Sequence, residues 1–138
     1  MIFPKTTSKL LLALSLSVFA AVVFRCAWVT DDAYITFRTV DNFIHGYGLT
    51  WNTAERVQVY THPLWMFLVS AVYFFTREIF YSSILLSFAI SLAAVLLLTL
   101  RLSASSESAL LGTAILACSK AFVDYSTSGM ENPLTHLL

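Results

Sequence analysis

Two adjacent carboxylates, Asp31 and Asp32, follow directly on an apolar run and are the residues of this chain best suited to chemistry. A carboxylate inside hydrocarbon is costly, so an acidic pair beside a spanning helix sits at the membrane surface or in a wet cavity. There one of the two can act as a general base, taking the proton of a hydroxyl acceptor, and a neighbouring negative charge makes it a better proton acceptor. The pair equally suits a plainer role, as a helix cap and the marker of a membrane exit.

Other polar residues gather around the pair. Tyr34, Arg38, Asp41 and His45 fall on one stripe at helical spacing. A guanidinium on that stripe can hold phosphate oxygens in a two-pronged grip, or the stripe can be a solvated face and nothing more. Arg56 and His62 flank the next turn and carry the same pair of readings. Tyr34, Trp51, Tyr60 and Trp65 fit an interfacial aromatic belt, and their faces would also pack on the apolar C–H patches of sugar rings. A second polar stretch, 126–133, separates two apolar runs. In it Gly129 permits a close turn, Pro133 suits the first turn of a helix, and Glu131 places a favourable charge at that helix's N-terminus. There is no P-loop, no dinucleotide-binding glycine motif, no zinc-protease His-Glu pattern and no nucleophile elbow. Soluble nucleotide chemistry therefore has no support.

The elements that must position these residues are membrane elements. Of 138 residues, 58% are hydrophobic and only 12% are charged, whereas soluble domains carry roughly a quarter charged. The formal net charge is zero, which leaves no basic field for nucleic acid. A disulfide framework or a metal site would need more cysteines or a C-x-x-C spacing, so Cys26 and Cys118 read as small membrane-facing or packing residues. No metal ligand set is assigned.

A first apolar run, 10–29, is about 20 residues long, or roughly 30 Å of helix, enough to cross a hydrocarbon core. Lys5 and Lys9 precede it and place the N-terminus in the cytoplasm. The run is longer than a signal-peptide core and no small-x-small site follows, so it reads as an anchor. Further spans are expected near 79–100, closed by Arg101, and near 107–125. Between the first two lies an outer loop, 30–78, with interfacial helices at about 32–45 and 63–75. In the former, Ala33, Phe37, Val40 and Ile44 form the apolar stripe, Asp31 or Asp32 is the N-cap, and Gly46 is the stop. The run at 63–75 reaches only about 20 Å, short of a crossing. If it crossed, Asp31-Asp32 and Glu131 would lie on opposite sides. With three crossings, Arg101 is cytoplasmic, as the positive-inside rule prefers, and Glu131 returns to the outer face. The expected fold class is all-α: a polytopic transmembrane helical bundle with juxtamembrane interfacial helices in its first outer loop. The chain stops inside a fresh apolar segment, 133–138, and reads as the front of something longer.

The ordered motifs carry a resemblance. Asp31-Asp32-Ala33-Tyr34-Ile35-Thr36-Phe37-Arg38, His45-Gly46-Tyr47-Gly48-Leu49-Thr50-Trp51-Asn52, Glu55-Arg56-Val57, Tyr60-Thr61-His62-Pro63-Leu64-Trp65 and Ser128-Gly129-Met130-Glu131-Asn132-Pro133-Leu134 follow one another along the chain. In this order they resemble the N-terminal region of polytopic GT-C superfamily glycosyltransferases, in particular the mycobacterial-type terminal arabinofuranosyltransferases. The resemblance implies an inverting transferase that takes its sugar from a polyprenyl-phosphate donor. The acceptor would be a glycan, lipid or protein hydroxyl at the outer face of a bacterial inner (plasma) membrane. Asp31 and Asp32 map onto the family's catalytic acidic pair, with Asp31 favoured because it stands first. Tyr34, Arg38, Tyr60, His62 and Glu131 are the candidates for substrate contact. No cofactor is assigned, and a divalent cation is left open.

Three departures bear on the substrate rather than the family. Val59 stands where relatives have a Gly, Thr53-Ala54 where they have Pro-Gly, and Met130 where they have Leu. Family members also have many more spanning helices, so this length alone is expected not to hold donor and acceptor together. A non-catalytic membrane scaffold or truncated remnant of such an enzyme is the alternative reading.

Overall fold

The computed structural model describes residues 5–55 and 57–138, so Arg56 lies outside the described residues. The chain is helical throughout, with no strand among the described residues: α1 (Lys5–Arg25), α2 (Ala33–Ile44), α3 (Pro63–Thr76), α4 (Ile79–Leu97), α5 (Ser106–Cys118), α6 (Lys120–Tyr125) and α7 (Asn132–Leu137). A π-helical turn, Leu98–Leu102, continues α4. The backbone N–H and the hydroxyl of Ser103 both donate to the carbonyl of Leu98, at 2.9 and 2.8 Å, and close this wider turn.

Two helical stretches are long and apolar enough to cross a membrane, Thr6–Arg25 and Ile79–Leu102. Only 17% of the first and 33% of the second, over their most apolar windows, is buried inside the molecule. The core helix of a soluble protein would be mostly covered, so these outward apolar faces suit lipid. The third expected span, 107–125, is not one helix. It breaks at Ser119, whose backbone is extended (φ −80°, ψ 105°) and whose hydroxyl oxygen accepts from the N–H of Phe122, so that a new helix, α6, starts there. A serine that caps in this way competes with helix continuation, a choice that hydropathy does not register. The α5 N-terminus carries a capping box between Ser105 and Ser108, at 3.2 and 3.0 Å.

Two apolar clusters hold the helices together. In one, Ala33, Phe37 and Val40 of α2 meet Trp65, Met66 and Val69 of α3. In the other, Phe19 and Val23 of α1 meet Val95 of α4 and Val123 of α6. The amphipathic stripe read from the sequence is the buried face of α2, with Ile44 half-covered at its end. Gly46 ends α2 at φ +83°, and Tyr47 N–H returns to the carbonyl of Asn42 at 2.9 Å, as a Schellman-type stop requires. The buried face of α4 includes Ser83, Ser87 and Ser91, spaced four apart, and α7 packs against this helix. Small side chains in such a row let helices approach closely.

The turn from α3 to α4 runs through Arg77, at φ +56°, to Glu78. The Glu78 carboxylate caps α4, accepting from the N–H groups of Phe80 at 3.1 Å and Tyr81 at 2.7 Å. Replacing it leaves two N-terminal donors open. Glu78→Ala is expected to cost about 1 kcal/mol of stability. A lowered thermal midpoint in detergent would show this, and an unchanged midpoint would count against the cap.

Candidate functional site

The site is assembled where the polar loop 126–131 meets the start of α2 and the start of α3. Ser126, Thr127 and Ser128 are fully buried, so their backbone groups need partners inside the protein. They find them on three different segments. Ser91 of α4 donates to the carbonyl of Ser126 at 3.0 Å. Thr30 N–H donates to the carbonyl of Ser128 at 2.9 Å, and Trp28 N–H to the hydroxyl of Thr127 at 3.3 Å. The buried indole N–H of Trp65 donates to the carbonyl of Gly129 at 2.9 Å.

Gly129 is obligatory at this crossing. Its φ is +80°, and a Cβ there would lie 2.9 Å from the Cβ of Ala33, 3.0 Å from Val29 and 3.2 Å from the ring of Phe37. Glycine alone satisfies both the backbone conformation and the close approach.

The consequence is a cleft of about 190 Å³ lined by Asp32, Ile35, Thr36, Val59, Thr61, His62, Trp65, Met130 and Glu131. His62 Nε2 lies 3.0 Å from Glu131 Oε1, and the carboxylate is the better shielded partner, 19% exposed against 51% for the imidazole. Asp32 occupies the N-cap position of α2 but makes no capping bond, and its backbone is already helical (φ −60°, ψ −30°). Its carboxylate is exposed on the cleft and makes no hydrogen bond among the described residues. Asp31 behaves differently. Its Oδ1 accepts from the Thr30 hydroxyl and from the N–H of Asp32, both at 3.1 Å, and it does not line the cleft.

The remaining candidates separate. Tyr34 and Arg38 line a second hollow on the other side of α2, together with Phe37, Asp41 and Trp51. Tyr60 packs against the α2–α3 core, while Val59 and Thr61 on either side of it line the cleft. Successive side chains here thus point to opposite faces, as in a strand. Ile35 and Thr36, one turn on from Asp32, are cleft residues that the motif reading passed over; helical spacing from Asp32 is the signal that finds them. Near the second hollow, Tyr73 donates to Asp41 Oδ1 at 2.7 Å. That hydrogen bond, followed by burial, raises the Tyr73 phenol above its ordinary value. No group of three or more His, Cys, Asp or Glu poised for a metal ion occurs among the described residues.

These features define a class: a helical chain whose two long apolar helices point to a membrane protein, with an acid–imidazole cleft built from segments far apart in sequence. Its relatives belong to one kind of enzyme. The chain is 31% identical over 118 residues to the terminal β-(1→2)-arabinofuranosyltransferase of Mycobacterium tuberculosis, a match that covers 78% of this chain and 19% of that enzyme. It is 40% identical over 45 residues to the enzyme of the same name from Corynebacterium glutamicum, covering 33% of this chain and 7% of the relative. The chain thus resembles one part of these arabinofuranosyltransferases and spans about a fifth or less of their length. No family model matches the sequence, and no solved structure matches the fold.

Two substitutions separate the parts of this assembly. Gly129→Ala is expected to lower folded yield sharply, because the strained backbone and the clash with Ala33 act together. Trp65→Phe keeps an aromatic ring but strands the Gly129 carbonyl, at a cost of about 1–3 kcal/mol, and adds the cost of the volume that the smaller ring leaves empty. Thermal melting of both variants in detergent measures this. A Trp65→Phe midpoint equal to that of the parent would show that the indole hydrogen bond does not hold the loop.

Proposed function

We propose that this chain forms part of the active site of a polyprenyl-phosphate-dependent GT-C type membrane glycosyltransferase. The observation that carries the reading is the uncommitted Asp32 carboxylate in one cleft with the His62–Glu131 pair. The partial identity to two arabinofuranosyltransferases supports it independently.

The chemistry suits the residues. An acceptor hydroxyl meets the anomeric carbon of the donor sugar, a new C–O bond forms, and the bond to the polyprenyl phosphate breaks on the opposite face. The hydroxyl proton passes to Asp32, and the donor phosphate departs with the bonding electron pair, which accounts for an inverting outcome. The paired His62 and Glu131 hold each other in place and leave the imidazole Nδ1 and the second carboxylate oxygen for sugar hydroxyls. Sequence order favours Asp31 as the base; the cleft favours Asp32, with Asp31 as the residue that fixes the turn into α2. No step is routed through a divalent cation, because the cleft residues do not form a ligand set. The relatives' name suggests an arabinofuranosyl unit as the group transferred, with a glycan acceptor.

The same cleft bears on topology. Asp32 follows one crossing, so Glu131 shares its side only after an even number of further crossings. That count fits α4 and the broken α5–α6 pair as crossings, with α2 and α3 lying at the interface. With Lys5 and Lys9 in the cytoplasm, Arg101 also falls on the cytoplasmic side and the cleft faces the exterior or periplasm of a bacterial plasma membrane.

The test uses the longest reading frame that contains this chain, purified and supplied with a polyprenyl-phosphate sugar. Asp32→Asn is expected to lower kcat by about 10²-fold or more, the usual contribution of a general base. Asp31→Asn is expected to act more weakly and chiefly through stability. Wild-type turnover in Asp32→Asn would remove the role assigned to it.

A further inference from the structure

The short helix α2 presents two hollows. Asp32, Ile35 and Thr36 face the catalytic cleft, whereas Tyr34, Phe37, Arg38 and Asp41 line a shallow hollow of about 460 Å³ closed by Trp51. The polar groups of the second hollow are oriented by their neighbours. Arg38 lies over the Trp51 ring, its Cζ 5.6 Å from the centroid, and its Nε donates to the Trp51 carbonyl at 3.3 Å. The two terminal nitrogens of its guanidinium make no hydrogen bond among the described residues. Asp41 Oδ1 receives Tyr73 at 2.7 Å and lies 3.2 Å from His45 Nδ1, which leaves Oδ2 open. Trp51 is itself positioned by the buried amide of Asn42, which donates to the carbonyls of Thr50 and Trp51 at 2.8 and 3.0 Å. Tyr34, half exposed, sets its ring edge-on to Phe37.

The hollow therefore joins one cation, one anion and aromatic side chains. A phosphate drawn by Arg38 would meet the carboxylate of Asp41 in the same space, and like charges at such range repel. A neutral polyol satisfies both groups, accepting from the guanidinium and donating to Asp41 Oδ2, while its C–H face rests on an aromatic side chain. From Asp32 to Arg38 and Asp41 is roughly 9 to 14 Å along the axis of α2. The two hollows open on different faces of α2, so a glycan whose reacting hydroxyl meets Asp32 would cross the exposed edge at Ile35 to lay its preceding residues here.

We propose that this second hollow is a subsite for the acceptor glycan, binding neutral sugar residues next to the one that reacts. The proposal rests on the reading of Asp32 as the base, and assigns Arg38 to the acceptor rather than to the donor phosphate.

The experiment titrates the intact protein in detergent with a neutral arabinofuranosyl oligosaccharide and, separately, with polyprenyl phosphate, by calorimetry. Arg38→Gln and Trp51→Leu are each expected to weaken oligosaccharide binding at least about tenfold, and to leave polyprenyl-phosphate binding unchanged. Arg38→Lys should recover only part of the loss. Thermal melting checks folding, and should either variant fail to fold, Tyr34→Ala carries the comparison. Unchanged oligosaccharide affinity in folded variants, no binding by the parent protein, or a loss confined to polyprenyl phosphate would each overturn the proposal. The Asp32→Asn variant separates the two ideas. If it turns over normally while Arg38→Gln loses glycan, the assignment of the base falls and the hollow stands. If it is inactive while Arg38→Gln binds glycan normally, the hollow falls and the base stands.

Discussion

A buried polar loop needs its hydrogen bonds supplied by its surroundings, and this protein supplies those of 126–129 from three directions. Ser91 comes from α4, Trp28 and Thr30 from the segment after α1, and Trp65 from the first turn of α3. Each bond satisfies a group that would otherwise be stranded, at a cost of about 1–3 kcal/mol apiece. The loop thereby fixes how three helical segments meet. Each of the cleft's titratable residues is a near neighbour in sequence of one of these anchors. Asp32 is two residues past Thr30, His62 three before Trp65, and Glu131 two past Gly129. The site geometry is thus inherited from the loop rather than built separately.

The apolar helices solve a related problem in a local way. They carry many hydroxyls, and several of these donate back along their own helix. Ser15 reaches Leu12, Ser17 reaches Ala13, Ser83 reaches Phe80 and Thr113 reaches Ala109, at 2.8 to 2.9 Å. A hydroxyl satisfied by its own helix can sit in an apolar environment without a partner from elsewhere. Ser91 departs from this habit and reaches across to the carbonyl of Ser126. One member of the row on α4 therefore couples the apolar bundle to the polar loop, while Ser83 bonds within its own helix.

Local periodicity was the legible part of the sequence. The buried stripe of α2, its glycine stop and the prolines that open α3 and α7 follow from rules that act within a few residues. The burial of Asn42 was not legible, because it depends on a loop eight and nine residues away folding back onto its amide. The break at Ser119 was hidden by hydropathy, which counts apolar residues and not the cap that one serine can form. Within the site, the types of residue could be read but not their partition. Tyr60 was expected beside substrate, yet the strand-like alternation of 59–61 turns it to the core and brings Val59 and Thr61 to the cleft. Tyr34 and Arg38 share the polar stripe of α2 but open onto the second hollow.

The acidic pair shows why adjacency in sequence is a poor guide to shared duty. Consecutive residues entering a helix are separated by about 100° around its axis, so two neighbouring side chains leave in different directions and need not share one role. Here Asp31 turns back and accepts from the Thr30 hydroxyl and the Asp32 N–H. The first turn of α2 is meanwhile closed by backbone carbonyls, with Ala33, Tyr34 and Ile35 donating to Thr30, Asp31 and Asp32 in turn. With that turn satisfied by the backbone, and Asp31 bracing the residue before it, the Asp32 carboxylate is released from capping. A carboxylate spent on a helix cap would hold its lone pairs against N–H groups and be a weaker proton acceptor. On the function proposed above, the doublet works as a division of labour: the first carboxylate holds the turn so that the second can stay uncommitted at the cleft.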